Sequence, residues 1–166
     1  MNYSGQLIGI IAIGVSFLIY IQPSRFKMVL LKLVTDILWV AHHISISAYT
    51  AAVTTGIAIL RELVFLPKRK STYNGFILFV FSAFFVLAAV FTWKDGFSVL
   101  PAIGSVLSTV AFGSYRTKLI RVFALLSSIC MLIYGIHYFS IPIVTNEILV
   151  ESSIFISFIK EHKAKG

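Results

Sequence analysis

The sequence is poor in charged residues, which fill only 12% of its 166 positions. A soluble domain carries about 25% charged residues, so this chain lacks the polar surface that would cover a globule in water. Acidic residues are the scarcest, with six Asp and Glu against 14 Lys and Arg. This shortage, with 58% hydrophobic residues, excludes a soluble enzyme and a disordered tail and predicts an integral membrane protein.

Other absences narrow the class further. The single cysteine, Cys130, cannot form an internal disulfide, which excludes a disulfide-rich secreted domain. The first apolar stretch starts at Leu7 with no Lys or Arg before it and no small-residue cleavage site after it, so we expect a retained helix rather than a signal peptide. No nucleophile elbow, phosphate loop or HExxH motif occurs. We therefore expect no enzyme activity and no cofactor.

What is present is a series of long apolar runs. One bilayer crossing takes about 20 residues, and the runs predict seven transmembrane helices. Uniformly apolar runs of this length do not alternate as strands do. The predicted spans cover about 5–22, 28–45, 48–66, 74–93, 97–113, 118–137 and 141–159.

Basic residues give these spans an orientation. With seven spans, the three loops 1–2, 3–4 and 5–6 and the C-terminus fall on one side of the membrane. Every one of the 14 basic residues except Lys94 lies on or near that side. The positive-inside rule then places the N-terminus outside and the C-terminus in the cytoplasm. The net charge of +8 is explained as an orientation signal and not by a nucleic-acid partner; the expected partner is the lipid bilayer.

Two segments carry a resemblance to a known family. The first is HHISISAYTAA at 42–52, continuing to Arg61 and Phe65; the second starts with LPAIG at 100–104 and runs past Arg121 to Glu147 and Lys160. Their order and spacing resemble the YgjV-type bacterial inner membrane protein family over residues 8–65 and 97–160. The resemblance implies a bacterial inner membrane location and brings no biochemical function with it.

The layout of the spans also suggests an internal repeat. Spans 1–3 and 5–7 follow the same plan, and a fourth, odd helix between them makes the two halves parallel. The predicted domains are a first three-helix bundle (1–66), a basic cytoplasmic loop with a linker helix (67–96), a second bundle (97–160) and a cytoplasmic tail (161–166). Parallel repeats about an axis normal to the membrane occur in small sugar transporters, and this 3+1+3 architecture resembles that of the SWEET and PQ-loop transporters. A shift of about 92 residues superposes the halves with identities at chance level, so the repeat is a prediction from layout.

Ionisable side chains within apolar spans are costly and usually face a bundle interior or a cavity. Glu147, with Asn146 beside it, lies in the seventh span, and Glu151 follows one helical turn later on the same face. Two carboxylates this close in a low dielectric repel, which favours a proton on at least one of them. These residues are candidates for binding a polar solute or a proton; a hydrogen-bonded link to a neighbouring helix is the structural alternative. The repeat places Thr55 opposite Glu147, which adds Thr55 to the candidates.

Other polar side chains have a structural and a functional interpretation. Asp36 follows Lys32 by one turn, which favours an ion pair within the helix, although a carboxylate at a cytoplasmic gate is the alternative. Trp39 suits an aromatic belt or stacking on a solute. His42 could serve an outer gate, but adjacent histidines point about 100° apart on a helix, so no metal site is predicted.

Arg61 and Glu62 are near enough to the cytoplasmic face to snorkel towards water.

Two functions remain open on these observations. The first is a small polar solute transporter that works by alternating access, with its pathway near Thr55, Glu147 and Glu151. The second is a membrane protein that binds or regulates a partner without transporting. The sequence names no solute, and it leaves a homo-oligomer open.

Overall fold

The computed structural model describes residues 3–45, 49–67, 75–91, 93, 95–139 and 141–163. Regular structure in these ranges is entirely helical, with seven α-helices and one short 3₁₀-helix. The α-helices are α1 (Tyr3–Ile19), α2 (Arg25–Ser45), α3 (Tyr49–Phe65), α4 (Gly75–Phe91), α5 (Leu100–Gly113), α6 (Thr117–His137) and α7 (Ile141–Lys163), and the 3₁₀-helix Gly96–Val99 precedes α5. The all-helical class predicted from the sequence is confirmed.

The seven helices coincide with the seven predicted spans to within a few residues. One difference is at α5, which begins at Leu100 rather than at residue 97 because Gly96–Val99 forms the 3₁₀-helix. Pro101 occupies the first turn of α5, where its missing N–H leaves no hydrogen bond unmade. Several basic residues used in the topology prediction lie outside the described residues: Lys68, Arg69, Lys70, Lys94 and Lys165.

A short connection joins α6 to α7. Phe139, between α6 and α7, has a φ of 52°, the left-handed conformation that commonly ends a helix. Pro142 then lies in the first turn of α7, where proline is well tolerated. The turn predicted from the sequence near residues 140–142 therefore has a local backbone cause.

Among the described residues, three helices are both long enough and apolar enough to cross a bilayer: α2, α6 and α7. The apolar parts of α1, α4 and α5 are shorter. Large apolar side chains are nonetheless exposed on every α-helix, including Ile10 on α1 and Phe76 and Phe91 on α4. An exposed apolar surface of this extent suits lipid rather than water, in agreement with a membrane protein.

The helices pack in chain order around the bundle. Each helix contacts the next, α7 returns to pack against α1, and α3 contacts α5, while α4 packs mainly on α5. The buried apolar core contains Ile19 and Tyr20 at the end of α1, Met28 at the start of α2, Phe112 near the end of α5 and Ile154 in α7. This core therefore occupies one end of the bundle rather than its full length.

Arg25, the first residue of α2, joins helix ends at this same end. Its guanidinium donates hydrogen bonds to the carbonyl oxygens of Ser114 (2.6 Å), Phe65 (2.8 Å) and Phe112 (3.0 Å). These carbonyls belong to the C-terminal ends of α3 and α5, which leave acceptors unpaired within the helix. A single cation thus stabilises two helix C-termini, that of α3 in its own half of the chain and that of α5 in the other half.

Arg121, in the second turn of α6, does the same for α1. It donates to the carbonyl oxygens of Tyr20 (3.1 Å) and Gln22 (2.9 Å) and forms an ion pair with Glu161 of α7. The ends of α1, α3, α5 and α7 and the starts of α2 and α6 consequently meet at one end of the bundle, which we call the basic end.

Some of the helix boundaries repeat with a fixed offset. The bounds of α6 lie 92 residues after those of α2, and α7 begins 92 residues after α3. The contacts repeat as well. Under this offset the contact between α1 and α7 corresponds to the contact between α5 and α3. The start of α2 binds the end of α5, and the start of α6 binds the end of α1.

Candidate functional site

The interior of the bundle contains charged side chains on α2 and α3. On α2, Lys32 and Asp36 form an ion pair one helical turn apart, as the structural interpretation of the sequence predicts. Asp36 is only 3% exposed. A carboxylate this deeply buried is tolerated because a cation neutralises it.

The next helix contributes a second ion pair between neighbouring residues. Arg61 is 2% exposed and Glu62 is fully buried, and Nη2 of Arg61 lies 2.7 Å from Oε1 of Glu62. Arg61 also donates from Nη1 to the Thr109 hydroxyl at 3.0 Å and to the Ser105 carbonyl oxygen at 3.3 Å, both on α5. The expectation that these two side chains extend to the cytoplasmic face is wrong, because partners on α3 and α5 hold them inside.

The two ion pairs face each other. The carboxyl groups of Asp36 and Glu62 lie within side-chain hydrogen-bonding reach of one another. Lys32, Asp36, Arg61, Glu62 and Thr109 therefore form one group that spans α2, α3 and α5, which we call the charge cluster.

A second polar group joins α6 to α7. The buried Ser128 hydroxyl donates to Oε2 of Glu147 at 2.6 Å and approaches Oε1 of Glu151 at 3.5 Å. The Asn146 amide donates to the other oxygen of Glu147 at 3.0 Å. We call Ser128, Asn146, Glu147 and Glu151 the glutamate cluster. The prediction that Glu147 and Glu151 share a face is confirmed, and both side chains are partly buried.

The two clusters are within electrostatic reach of each other. Glu147 interacts electrostatically with Lys32 of the charge cluster. Tyr20, buried just after the end of α1, lies within electrostatic reach of Glu147 and of Asp36, Arg61 and Glu62. The interior therefore holds one connected set of charges. Five helices, α2, α3, α5, α6 and α7, contribute its ionisable groups and the hydroxyl donors beside them.

The remaining candidates lie elsewhere in the bundle. Trp39 packs its ring edge-on against His42, with 5.5 Å between ring centroids. His42 is buried against Gly9 of α1, where a Cβ atom would come within 3.0 Å of the imidazole. Thr55 is partly buried on α3 and makes no hydrogen bond to Glu147 among the described residues. Whether Trp39, His42 and Thr55 take part in binding or gating stays a prediction.

Sequence reasoning missed the hydroxyl partners. Ser128 and Thr109 were not candidates, although Ser128 lies in the middle of a long apolar span and Thr109 one turn after Ser105. A hydroxyl at such a position can bond to its own helix backbone, and Thr109 does donate to the Ser105 carbonyl oxygen. Only the arrangement of the neighbouring helices shows that both hydroxyls also contact charged side chains.

The part of the chain that the structure describes contains no group of three or more His, Cys, Asp or Glu side chains arranged to hold a metal ion. It does contain a groove between α4 and α5, of about 290 Å³ and lined by apolar side chains. The lining residues are Val86, Ala89, Val90, Trp93, Val99, Ala102, Ile103, Val106 and Leu107. Without polar groups, this groove does not suit a polar solute.

Comparison with known families agrees with this architecture. The family model of the bacterial inner membrane proteins called Imp-YgjV matches residues 3–165. The chain belongs to this family. The membership places it in the bacterial inner membrane, as the resemblance on residues 42–65 and 100–160 implied. No curated protein and no solved structure matches the chain.

Proposed function

We propose that this protein transports a small polar solute across the inner membrane by alternating access. The observation that carries the proposal is the connected set of charges inside the bundle. Isolated ionisable groups in a membrane cost several kcal/mol and usually mark pathways for substrates, ions or protons. Four of the six acidic residues of the chain, Asp36, Glu62, Glu147 and Glu151, belong to this set.

The arrangement of the halves supports the same proposal. In this account α1–α3 and α5–α7 are parallel repeats with α4 as the linker, and the axis relating them is normal to the membrane. The 92-residue offset between α2 and α6 and between the starts of α3 and α7 supports this repeat, as do the contacts of Arg25 and Arg121 with the ends of α5 and α1. Transporters built from parallel repeats move one half against the other around a site between them.

The position of the buried core suggests which side is closed. The apolar core and the two arginines occupy the basic end, which the positive-inside rule places in the cytoplasm. Glu147 lies in the second turn of α7 and so near the opposite end. We therefore propose that the conformation described here is sealed on the cytoplasmic side, with a solute approaching the glutamate cluster from outside.

Flux into proteoliposomes tests the proposal. Purified protein would be assayed on a panel of labelled sugars, amino acids and organic acids, comparing the wild type with Glu147→Gln. We expect saturable uptake of at least one solute and at least a tenfold loss in the variant. Glu161→Gln is the matched control, because Glu161 is a carboxylate of α7 at the basic end and should leave uptake unchanged. Equal uptake by the wild type and Glu147→Gln on every transported solute would contradict the proposed site.

The apolar groove between α4 and α5 favours a second candidate, a membrane protein that binds a partner without transporting. Small residues such as Ala89 and Ala102 line this groove and would allow close approach of another helix. This candidate predicts no saturable uptake of any solute by folded wild-type protein, so the same flux experiment separates the two functions.

A further inference from the structure

Asp36 and Glu62 are an unusual pair for a membrane interior. They belong to adjacent helices, α2 and α3, and are 3% and 0% exposed. Their carboxyl groups lie within hydrogen-bonding reach of each other. Two ionised carboxylates at this separation in a low dielectric repel strongly.

Each carboxyl group has one paired oxygen and one unpaired oxygen. Oδ1 of Asp36 accepts from Lys32, and Oε1 of Glu62 accepts from Arg61. Oδ2 of Asp36 and Oε2 of Glu62 are buried and have no hydrogen-bond partner among the described residues. A buried acceptor without a donor costs about 1–3 kcal/mol. A hydrogen-bond donor shared by these two oxygens would remove that cost at both.

The interior charges taken together also call for protons, although the charge cluster by itself holds two cations and two carboxylates. Lys32 and Arg61 are the cations of the interior set, against the four carboxyl groups of Asp36, Glu62, Glu147 and Glu151. The turn after α1 contributes Tyr20, and α5 contributes only the uncharged Ser105 and Thr109. Electrical neutrality, which a low dielectric favours, is reached when this set binds two protons.

We propose that Asp36 and Glu62 form one proton-binding site, in which a single proton lies between Oδ2 of Asp36 and Oε2 of Glu62. Uptake takes a proton from water and breaks no covalent bond in the protein. It gives both unpaired oxygens a partner and converts a repulsion into a charge-assisted hydrogen bond. The second proton of the neutral set belongs to Glu147 and Glu151, where repulsion between neighbouring carboxylates favours it.

A proton suits this place better than a metal cation. The Lys32 ammonium and the Arg61 guanidinium already pair with one oxygen of each carboxyl group. A sodium ion at the two unpaired oxygens would be repelled by both cations, and among the described residues of the charge cluster these are the only unpaired carboxylate oxygens. A proton adds the same charge and needs only two acceptors.

A role for this site in transport rests on the proposed transport function. The proton would lie where α2, α3 and α5 meet, so its binding and release would be coupled to movement of one half of the protein against the other. The site itself does not depend on transport. If no solute is transported but the proton is found, the proton has a structural role and the site stands. If solute is transported but the proton is absent, this inference is wrong while transport stands.

Infrared spectroscopy of the protein in lipid nanodiscs tests the site directly. The chain has only two aspartates, Asp36 and Asp95, so labelling aspartate with ¹³C shifts the carboxyl band of Asp36 and of no other interior group. We expect wild-type protein at neutral pH to show a protonated carboxylic acid band from the pair that is lost at alkaline pH. This experiment needs no variant and so does not depend on a variant folding.

Amide variants assign the band. Asp36→Asn and Glu62→Gln each supply an N–H donor to the remaining carboxylate, so each should fold and lose the band of the pair. Glu161→Gln is the control and should retain it. The proposal is overturned if the label-shifted band of Asp36 persists in Glu62→Gln, if it is missing from the wild type at neutral pH, or if sodium ions abolish it at constant pH.

Discussion

Replacing Arg61 with methionine is the sharpest test of the buried ion pair on α3. Arg61 and Glu62 are almost completely buried, and the guanidinium makes two hydrogen bonds to the carboxylate and two to α5. Removing one partner of a buried pair leaves the other charge uncompensated, which costs about 3–5 kcal/mol. We therefore expect Arg61→Met to lower the free energy of unfolding by about that amount.

A double variant that removes both partners should behave differently from the single variant. Replacing both partners of a buried pair with apolar side chains is often neutral or stabilising by about 1–4 kcal/mol. The double variant Arg61→Met with Glu62→Met should therefore lose no more than about 1 kcal/mol of unfolding free energy relative to the wild type. The coupling between the two sites, measured by the double-mutant cycle, should exceed about 2 kcal/mol.

Lowering the pH gives a second check on the same variant. In Arg61→Met the uncompensated charge is the Glu62 carboxylate, and protonation removes that charge. The loss of stability in Arg61→Met should thus shrink as the pH falls, whereas the double variant should show little of this dependence.

The assay is unfolding in mixed micelles with increasing sodium dodecyl sulfate, followed by the fluorescence of the two tryptophans. Glu161→Gln is the control, because Glu161 is 38% exposed and its pair with Arg121 should contribute no more than about 1 kcal/mol. Additive effects of the two substitutions, or single variants within about 0.5 kcal/mol of the wild type, would refute the buried pair.

Three further predictions concern packing and helix ends. Gly135→Ala should lose about 1–3 kcal/mol in the same unfolding assay, because a Cβ atom would lie 2.8 Å from a stiff isoleucine of α7, whereas Gly56→Ala, with nothing within 4 Å, should lose nothing. Arg25→Gln should lose about 1.5–3 kcal/mol by releasing three C-terminal carbonyls, and equal stability would contradict its capping role. Ser128→Ala should loosen α6 from α7, seen as faster hydrogen exchange in α7, while Ser152→Ala, whose hydroxyl bonds only within α7, should not.

The helices themselves were predictable because long apolar runs and short polar turns determine them. The predicted starts and ends agree with the structure to within a few residues, apart from the 3₁₀-helix Gly96–Val99. That segment has no separate signal in the sequence, since it continues the apolar run of α5. The one-turn spacing of Glu147 and Glu151 also predicted that they share a face of α7, and both carboxylates do approach the Ser128 hydroxyl.

What the sequence did not predict is which neighbouring helix each polar side chain packs against. Arg61 and Glu62 lie close to a helix end, so an extended, water-facing conformation was as reasonable as a buried one. Their burial depends on Thr109 and Ser105 of α5, which lie more than 40 residues away in the chain. The same reason explains why Ser128 was missed, because its partner Glu147 belongs to the next helix.

The central proposal is that the glutamate cluster is reached by water from the side opposite the basic end. Cysteine labelling in vesicles measures this directly, in a background where Cys130, the only native cysteine, is replaced by serine. Glu147→Cys should react with a membrane-impermeant thiol reagent added outside and not with the same reagent trapped inside. Ile148→Cys, next to it on the exposed apolar face of α7, should react from neither side. If Glu147→Cys is as unreactive as Ile148→Cys, the interior charges are sealed and the account is contradicted.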